Sequence, residues 1–85
     1  MRTAARKDAV QPLIVQALRN AGLVVVILNG PGLPDLLTYH PERKRWMPLE
    51  VKGARGVLTR KQAPLHALTE YPIARSVLEA LNVLT

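Results

Sequence analysis

The chain has 85 residues, and its 12 Lys and Arg against six Asp and Glu give a formal charge of +6. It contains no cysteine, which excludes disulfides and thiolate zinc sites and permits a reducing compartment. No apolar stretch reaches the roughly 18 residues of a membrane span, and the first ten residues lack the apolar core of a signal peptide. We expect one cytoplasmic domain over residues 1–85, marginal alone and therefore suited to a homodimer.

The first predicted element is an amphipathic helix. Residues 13–21 place apolar side chains at helical spacing, and Gly22 follows where a left-handed C-terminal cap is expected. Pro12 leaves two alternatives: it lies in the first turn of this helix, or a helix that begins near Thr3 bends there, since an interior proline costs about 3 kcal/mol. We favour helix on both sides of Pro12 with a bend.

Three strands are predicted next. Residues 23–29 form a continuous β-branched run, typical of a central strand covered on both faces. A Gly- and Pro-rich loop over 30–34 leads into a second strand over 35–40. A polar turn over 41–45 then connects it to a third strand over 46–52, so that these two strands form a hairpin.

The C-terminal half completes the order αβββαβα. Residues 53–59 read as a loop, and a helix begins near Thr59. A short fourth strand is expected within 71–77, and Ser76 caps a last helix over 77–84. The predicted fold is a single α/β domain with a mixed sheet and flanking helices.

Two acidic residues fall on the hairpin strands. Asp35 opens the second strand and Glu50 lies in the third, so their carboxylates can meet across the pair. Residues i and i+2 share one face of a strand, which places Lys52 beside Glu50. Two close carboxylates repel unless a cation lies between them, and hard oxygen ligands favour Mg²⁺ or Mn²⁺ over zinc. We expect Asp35, Glu50 and the main-chain carbonyl of Val51 to bind this cation.

The pattern predicts phosphodiester hydrolysis. A divalent cation acidifies water, and Lys52 can orient that water or neutralise charge that builds on the scissile phosphate. Taken alone, Pro34-Asp35 is typical of a turn, and Glu50 with Lys52 is typical of an exposed ion pair worth under about 1 kcal/mol. Their succession in one short basic chain is what favours a nuclease.

Three motifs in this order resemble a known family. They are "GLPDLL" at 32–37, "PLEVKG" at 48–53 and "LTRKQ" at 58–62. Together they look like the virus-type replication-repair nuclease domain, VRR-NUC, a minimal branch of the PD-(D/E)XK nucleases with a restriction-endonuclease-like fold. The resemblance covers residues 8–84 and implies that Asp35 and Glu50 are metal ligands.

By the same resemblance, Lys52 is the catalytic lysine and Gln62 is a polar residue that reaches back to the active site. The family usually has a glutamate in its first helix, a few residues ahead of a glutamine. Here Asp8 stands three residues before Gln11, and the four-residue spacing falls on Lys7. Asp8 is the candidate substitute ligand, and single-metal chemistry is favoured.

The basic residues are concentrated in the middle of the chain, as expected of a polyanion binder. Such residues can also serve only to keep a hairpin tip soluble. The candidate contacts to the DNA backbone are Arg43, Lys44, Arg45, Arg55, Arg60 and Lys61. Contacts of this kind position DNA without reading its sequence.

Three further residues invite a functional interpretation. His40 and His66 stand alone without ligand spacing and are expected to be ordinary surface or strand-end residues. Trp46 can stack on a base, or fill the core or a dimer interface, and the second is favoured because its strand neighbours Met47 and Leu49 need covering.

The sequence therefore predicts a Mg²⁺- or Mn²⁺-dependent endonuclease that acts on DNA as a homodimer. Stand-alone family members from phages are structure-selective endonucleases, and the resemblance implies action on branched DNA such as four-way junctions, in a bacterial or phage-infected cell. One alternative is an inactive DNA-binding or assembly module of the same fold. Another is a basic scaffold for RNA or protein partners.

Overall fold

One four-stranded sheet, with strands in the order β1-β2-β3-β4, organises the computed structural model, which describes residues 6–85. β1 and β2 pair antiparallel, as do β2 and β3, whereas β3 and β4 are parallel. The α/β class and the mixed sheet are confirmed. In chain order the elements are α1 (Lys7–Asn20), β1 (Val24–Ile27), β2 (Leu36–His40), β3 (Arg45–Val51), α2 (Ala63–Thr69), β4 (Ile73–Ala74) and α3 (Val77–Leu84).

Helix α1 continues through Pro12, as predicted. Pro12 is exposed and lies inside the helix rather than in its first turn. The start predicted near Thr3 lies outside the described residues. Gly22 follows the helix with φ of 96°, the left-handed conformation expected of a cap.

The prediction that the first strand lies at the centre of the sheet is wrong. β1 pairs only with β2 and forms an edge. Only Val25 of its four residues is buried, whereas Val24, Val26 and Ile27 are 48%, 42% and 47% exposed. A β-branched run indicates a strand, but the number of its neighbours depends on the chain's path.

Helices α1 and α3 cover one face of the sheet. α1 packs against α3, β1 and β3, and α3 packs against β4. This side carries the apolar core, which includes Ile14, Leu18, Val25, Leu36, Leu49, Val51, Ala74 and Leu84. No helix within residues 6–85 is long and apolar enough to cross a membrane.

Trp46 is not in the core. It lies on the opposite face of β3 from Met47 and Leu49, and 56% of it is exposed. The expectation that it fills the core because its neighbours need covering is wrong, because successive strand residues point to opposite faces.

The remaining elements are close to their predicted positions. β2 begins at Leu36, directly after Asp35, and β3 is displaced by one residue. α2 begins at Ala63 rather than near Thr59, since Pro64 suits only the first turn of a helix. The cap on α3 is confirmed, because Ser76 Oγ accepts a hydrogen bond of 3.1 Å from the Glu79 N–H.

Candidate active site

The hairpin register places Asp35 next to Glu50. Leu36 pairs with Leu49, so the next antiparallel pair outward is Asp35 and Glu50. Lys52 shares the face of Glu50, and its Nζ lies 3.0 Å from Glu50 Oε2. The structure thus brings together the two predicted carboxylates and the predicted lysine.

Gln62 bridges the charged pair. Its Nε2 donates to Glu50 Oε2 over 2.9 Å, and its Oε1 accepts from Lys52 Nζ over 2.8 Å. Glu50, Lys52 and Gln62 are all buried. These three side chains, together with Asp35, are called the acid–lysine cluster below. Gln62 fixes the spacing within it because one amide satisfies both a carboxylate and an ammonium.

The turn before α2 positions Gln62. Thr59 and Gln62 form a reciprocal capping box, in which Thr59 N–H donates to Gln62 Oε1 over 3.0 Å and Gln62 N–H reaches Thr59 Oγ1 over 3.3 Å. The same Oε1 therefore serves the helix start and Lys52. This links the "LTRKQ" motif to the cluster.

Asp35 is held by two contacts. Its Oδ2 accepts from the Val51 N–H over 2.9 Å, and its Oδ1 lies 2.5 Å from the Nζ of Lys7. The Lys7 side chain is 39% exposed, while that of Asp35 is 13% exposed. Helix α1 therefore contributes a cation to the cluster, at the position where the family resemblance has an acid.

The Val51 carbonyl faces the same way as Asp35. Glu50 and Lys52 donate their backbone N–H groups to β4, so the peptide groups of Val51 point away from β4 and towards Asp35. This orientation is compatible with the predicted main-chain ligand.

Burial and nearby charge act on Glu50. Burial raises the pKa of its carboxyl, Lys52 opposes this rise, and Asp35 adds to it. Glu50 Oε1 is buried and has no hydrogen-bond partner within residues 6–85. An unpaired buried carboxylate oxygen is costly. A cation between Glu50 and Asp35 would satisfy it, so the donor set fits a hard divalent ion.

Two loops close over the cluster. A Cβ on Gly32, whose φ is 83°, would lie 2.9 Å from the Lys61 carbonyl oxygen. A Cβ on Gly56 would lie 3.3 Å from the Lys52 side chain. Gly32 thus permits close approach to the turn that holds Gln62, and Gly56 permits close approach to Lys52 itself.

Asp8 is not brought to the cluster. It is exposed and lines a groove with Gln11, Pro12 and Ile27, to which Asp35 and Glu50 do not contribute. Among the described residues no group of three or more His, Cys, Asp or Glu side chains is placed to hold a metal. Any metal would therefore depend on Asp35, Glu50 and main-chain or water oxygens.

The six candidate DNA-contacting residues are all exposed. They are Arg43, Lys44, Arg45, Arg55, Arg60 and Lys61. Both histidines have structural contacts, since His40 Nδ1 accepts from the Arg43 N–H over 3.2 Å and His66 packs edge-on against Tyr71. These contacts agree with the ordinary interpretation of the histidines.

Sequence reasoning missed two residues that shape the site. The spacing ahead of Gln11 pointed to position 7, but sequence reasoning did not predict that Lys7 pairs with Asp35. Arg75 was missed entirely, and its guanidinium donates to the carbonyls of Gly53 and Gly56 over 2.8 and 2.6 Å. No local pattern identifies Arg75, because its partners lie about twenty residues away.

No family model matches the chain, and neither the curated proteins nor the solved structures contain a significant match. The resemblance to the VRR-NUC domain therefore depends on its three motifs and stays a prediction.

Proposed function

We propose that the protein is a metal-dependent endonuclease that hydrolyses DNA phosphodiester bonds at the acid–lysine cluster. The observation that carries the proposal is the buried Oε1 of Glu50, which has no hydrogen-bond partner within residues 6–85 and lies next to Asp35, on the same face as Lys52. A purely structural ion pair has no need of a second carboxylate beside it. A hydrolase that requires a cation does.

The cation would be Mg²⁺ or Mn²⁺, held by Asp35, Glu50 and the Val51 carbonyl. When bound, it would supply charge neutralisation at a phosphate and a lowered pKa for water. Asp8 stays outside this ligand set in our proposal, because it faces a different groove.

Lys52 is the proposed catalytic cation. An ammonium has three donors, of which Gln62 Oε1 and Glu50 Oε2 engage two. The third can be donated to a phosphate oxygen. Because both partners are buried, Lys52 has little freedom to move, and such fixed donors stabilise developing charge without reorganisation.

Fold and assembly are part of the proposal. The mixed sheet and flanking helices are those expected of a restriction-endonuclease-like domain, the strongly basic charge suits DNA, and two copies would present two sites to a branched substrate such as a four-way junction. The free edge of β1 is one place where two sheets can join.

The test is cleavage of labelled single-stranded, duplex, flap and four-way-junction DNA in Mg²⁺, Mn²⁺ or EDTA. We expect metal-dependent cutting that Lys52→Ala abolishes. Arg6→Gln is the matched control, because it also removes one positive charge, is exposed before α1 and belongs neither to the acid–lysine cluster nor to the candidate DNA contacts. Cutting by Lys52→Ala at the wild-type rate would refute the assigned site.

One observation favours a second candidate, an inactive DNA-binding module. Lys7 already places an ammonium against Asp35, where the resemblance has an acid. If this module is the correct account, the wild type binds DNA without cutting it, and Lys7→Glu gains metal-dependent cleavage.

A further inference from the structure

The sheet face opposite α1 and α3 is open. It consists of Val24, Val26, Leu37, Tyr39, Trp46 and Pro48, here called the open face, which the antiparallel registers place side by side. Three of these side chains are between 42% and 56% exposed, and the other three are partly buried. Contiguous exposed apolar surface is a feature of binding sites.

The centre of this face is an aromatic pair. Tyr39 and Trp46 are directly paired across β2 and β3, with ring centroids 4.8 Å apart and planes tilted by 50°. Trp46 is the only tryptophan in the chain and is 56% exposed. It therefore presents a large flat π surface to solvent.

Positive charge borders the aromatic pair. The hairpin turn beside it carries the exposed Arg43 and Lys44 and one acid, Glu42, whereas His40 and Arg45 belong to the opposite sheet face by strand alternation. Flat aromatic rings beside cations suit a ligand that has planar bases on an anionic backbone. A second copy of the chain would instead bring another +6 molecule to the same place.

We infer that the open face binds unpaired nucleotides, with bases stacked on Trp46 and Tyr39 and phosphates at the hairpin tip. Trp46 and Glu50 lie on one face of β3, four residues and therefore about 13 Å apart. About four nucleotides of a stacked strand span this distance. A consequence for cleavage rests on the proposed function. The open face would select DNA that has unpaired nucleotides beside the bond to be cut.

Trp46 itself reports the binding. The full chain is titrated in EDTA, where no cutting occurs, with oligodeoxythymidylate, an abasic oligonucleotide of equal length and a blunt duplex. We expect saturable quenching of Trp46 emission by oligodeoxythymidylate and little by the other two. Equal quenching by the abasic strand would overturn the inference, because that strand keeps the phosphates and lacks the bases.

Variants give a second readout, the anisotropy of labelled oligodeoxythymidylate. Trp46→Ala should bind it about tenfold more weakly, as expected for the loss of one stacked base, and Trp46→Phe should retain most of the affinity. Unchanged binding by Trp46→Ala overturns the inference. So does an emission spectrum that responds to protein concentration and not to nucleic acid, which would place a second copy on the open face.

The two proposals fail separately. If the wild type binds oligodeoxythymidylate as expected but cuts no DNA in Mg²⁺ or Mn²⁺, the nuclease proposal is wrong and the open face stands. If the wild type cuts DNA while Trp46→Ala binds and cuts like the wild type, the nuclease proposal stands and the inference about the open face is wrong.

Discussion

The contact between Lys7 and Asp35 matters most at the scale of single residues, because it places an ammonium beside a proposed metal ligand. Lys7→Gln removes that competing cation, so we expect Mn²⁺ to bind up to about fivefold more tightly, the equivalent of roughly 1 kcal/mol for a partly exposed ion pair. Calorimetric titration with Mn²⁺ measures this. Lys61→Gln is the control, since it removes an exposed lysine that forms no ion pair with Asp35. Equal gains in both variants would attribute the effect to net charge alone.

Tyr71 offers a test of the free-energy cost of burying a polar group. It is buried, its hydroxyl has no hydrogen-bond partner within residues 6–85, and burial raises its pKa, with smaller effects from Glu50 and Asp35. Tyr71→Phe keeps the ring against His66 and removes the unpaired group. We expect equal or greater stability, by up to about 1 kcal/mol, in urea unfolding. A clear loss of stability would mean that the hydroxyl has a hydrogen-bond partner, such as an internal water.

Residue patterns predicted part of the candidate site. The proximity of Asp35, Glu50 and Lys52 follows from strand alternation and hairpin register, which the sequence encodes locally. The Lys7 contact depends on how α1 docks against the sheet, and the complete burial of Glu50 depends on two loops that close over it. Neither can be deduced from a short stretch of the sequence.

At the scale of elements, the loop that carries Asp35 depends on Gly32. Alanine at a positive φ costs about 1–2 kcal/mol, which Gly22→Ala should show alone, since a Cβ there meets nothing within 4 Å. Gly32→Ala adds a clash at 2.9 Å with the Lys61 carbonyl, and overpacking costs roughly 1–3 kcal/mol more. Urea unfolding of both variants measures the difference. Equal losses of stability in the two variants would mean that the Gly32 loop can move away from the Lys61 carbonyl at no cost in free energy.

The elements also mark the limit of prediction from sequence. Hydrophobic periodicity identified α1 and α3, and Ser76 marked the start of α3, because both signals are local. The central position predicted for β1 was wrong, since a continuous apolar run reports that a strand forms and not which elements cover it. The exposed Val24 and Val26 are the result, and they belong to the open face.

At the scale of the whole molecule, the sheet separates two roles. Helices α1 and α3 and the core occupy one face, whereas the open face and the acid–lysine cluster share the other. A strand of nucleic acid that lies along β3 can therefore contact the hairpin tip and reach towards Lys52 without displacing the core. Binding of this kind is governed by the placement of charge as well as by its total.

Placement and total charge can be separated with two variants. Lys44→Gln and Arg6→Gln each lower the formal charge from +6 to +5, and both residues are exposed. Lys44 lies in the turn between β2 and β3, directly before the strand that carries Trp46, whereas Arg6 precedes α1. Each phosphate contact contributes about 0.7 to the slope of log K against log salt for a single strand. We therefore expect Lys44→Gln to reduce that slope by about 0.7 and Arg6→Gln to leave it unchanged, as measured by anisotropy across a salt series. Equal slopes in the two variants would mean that diffuse attraction to a basic protein, rather than a phosphate contact at the hairpin tip, accounts for the binding.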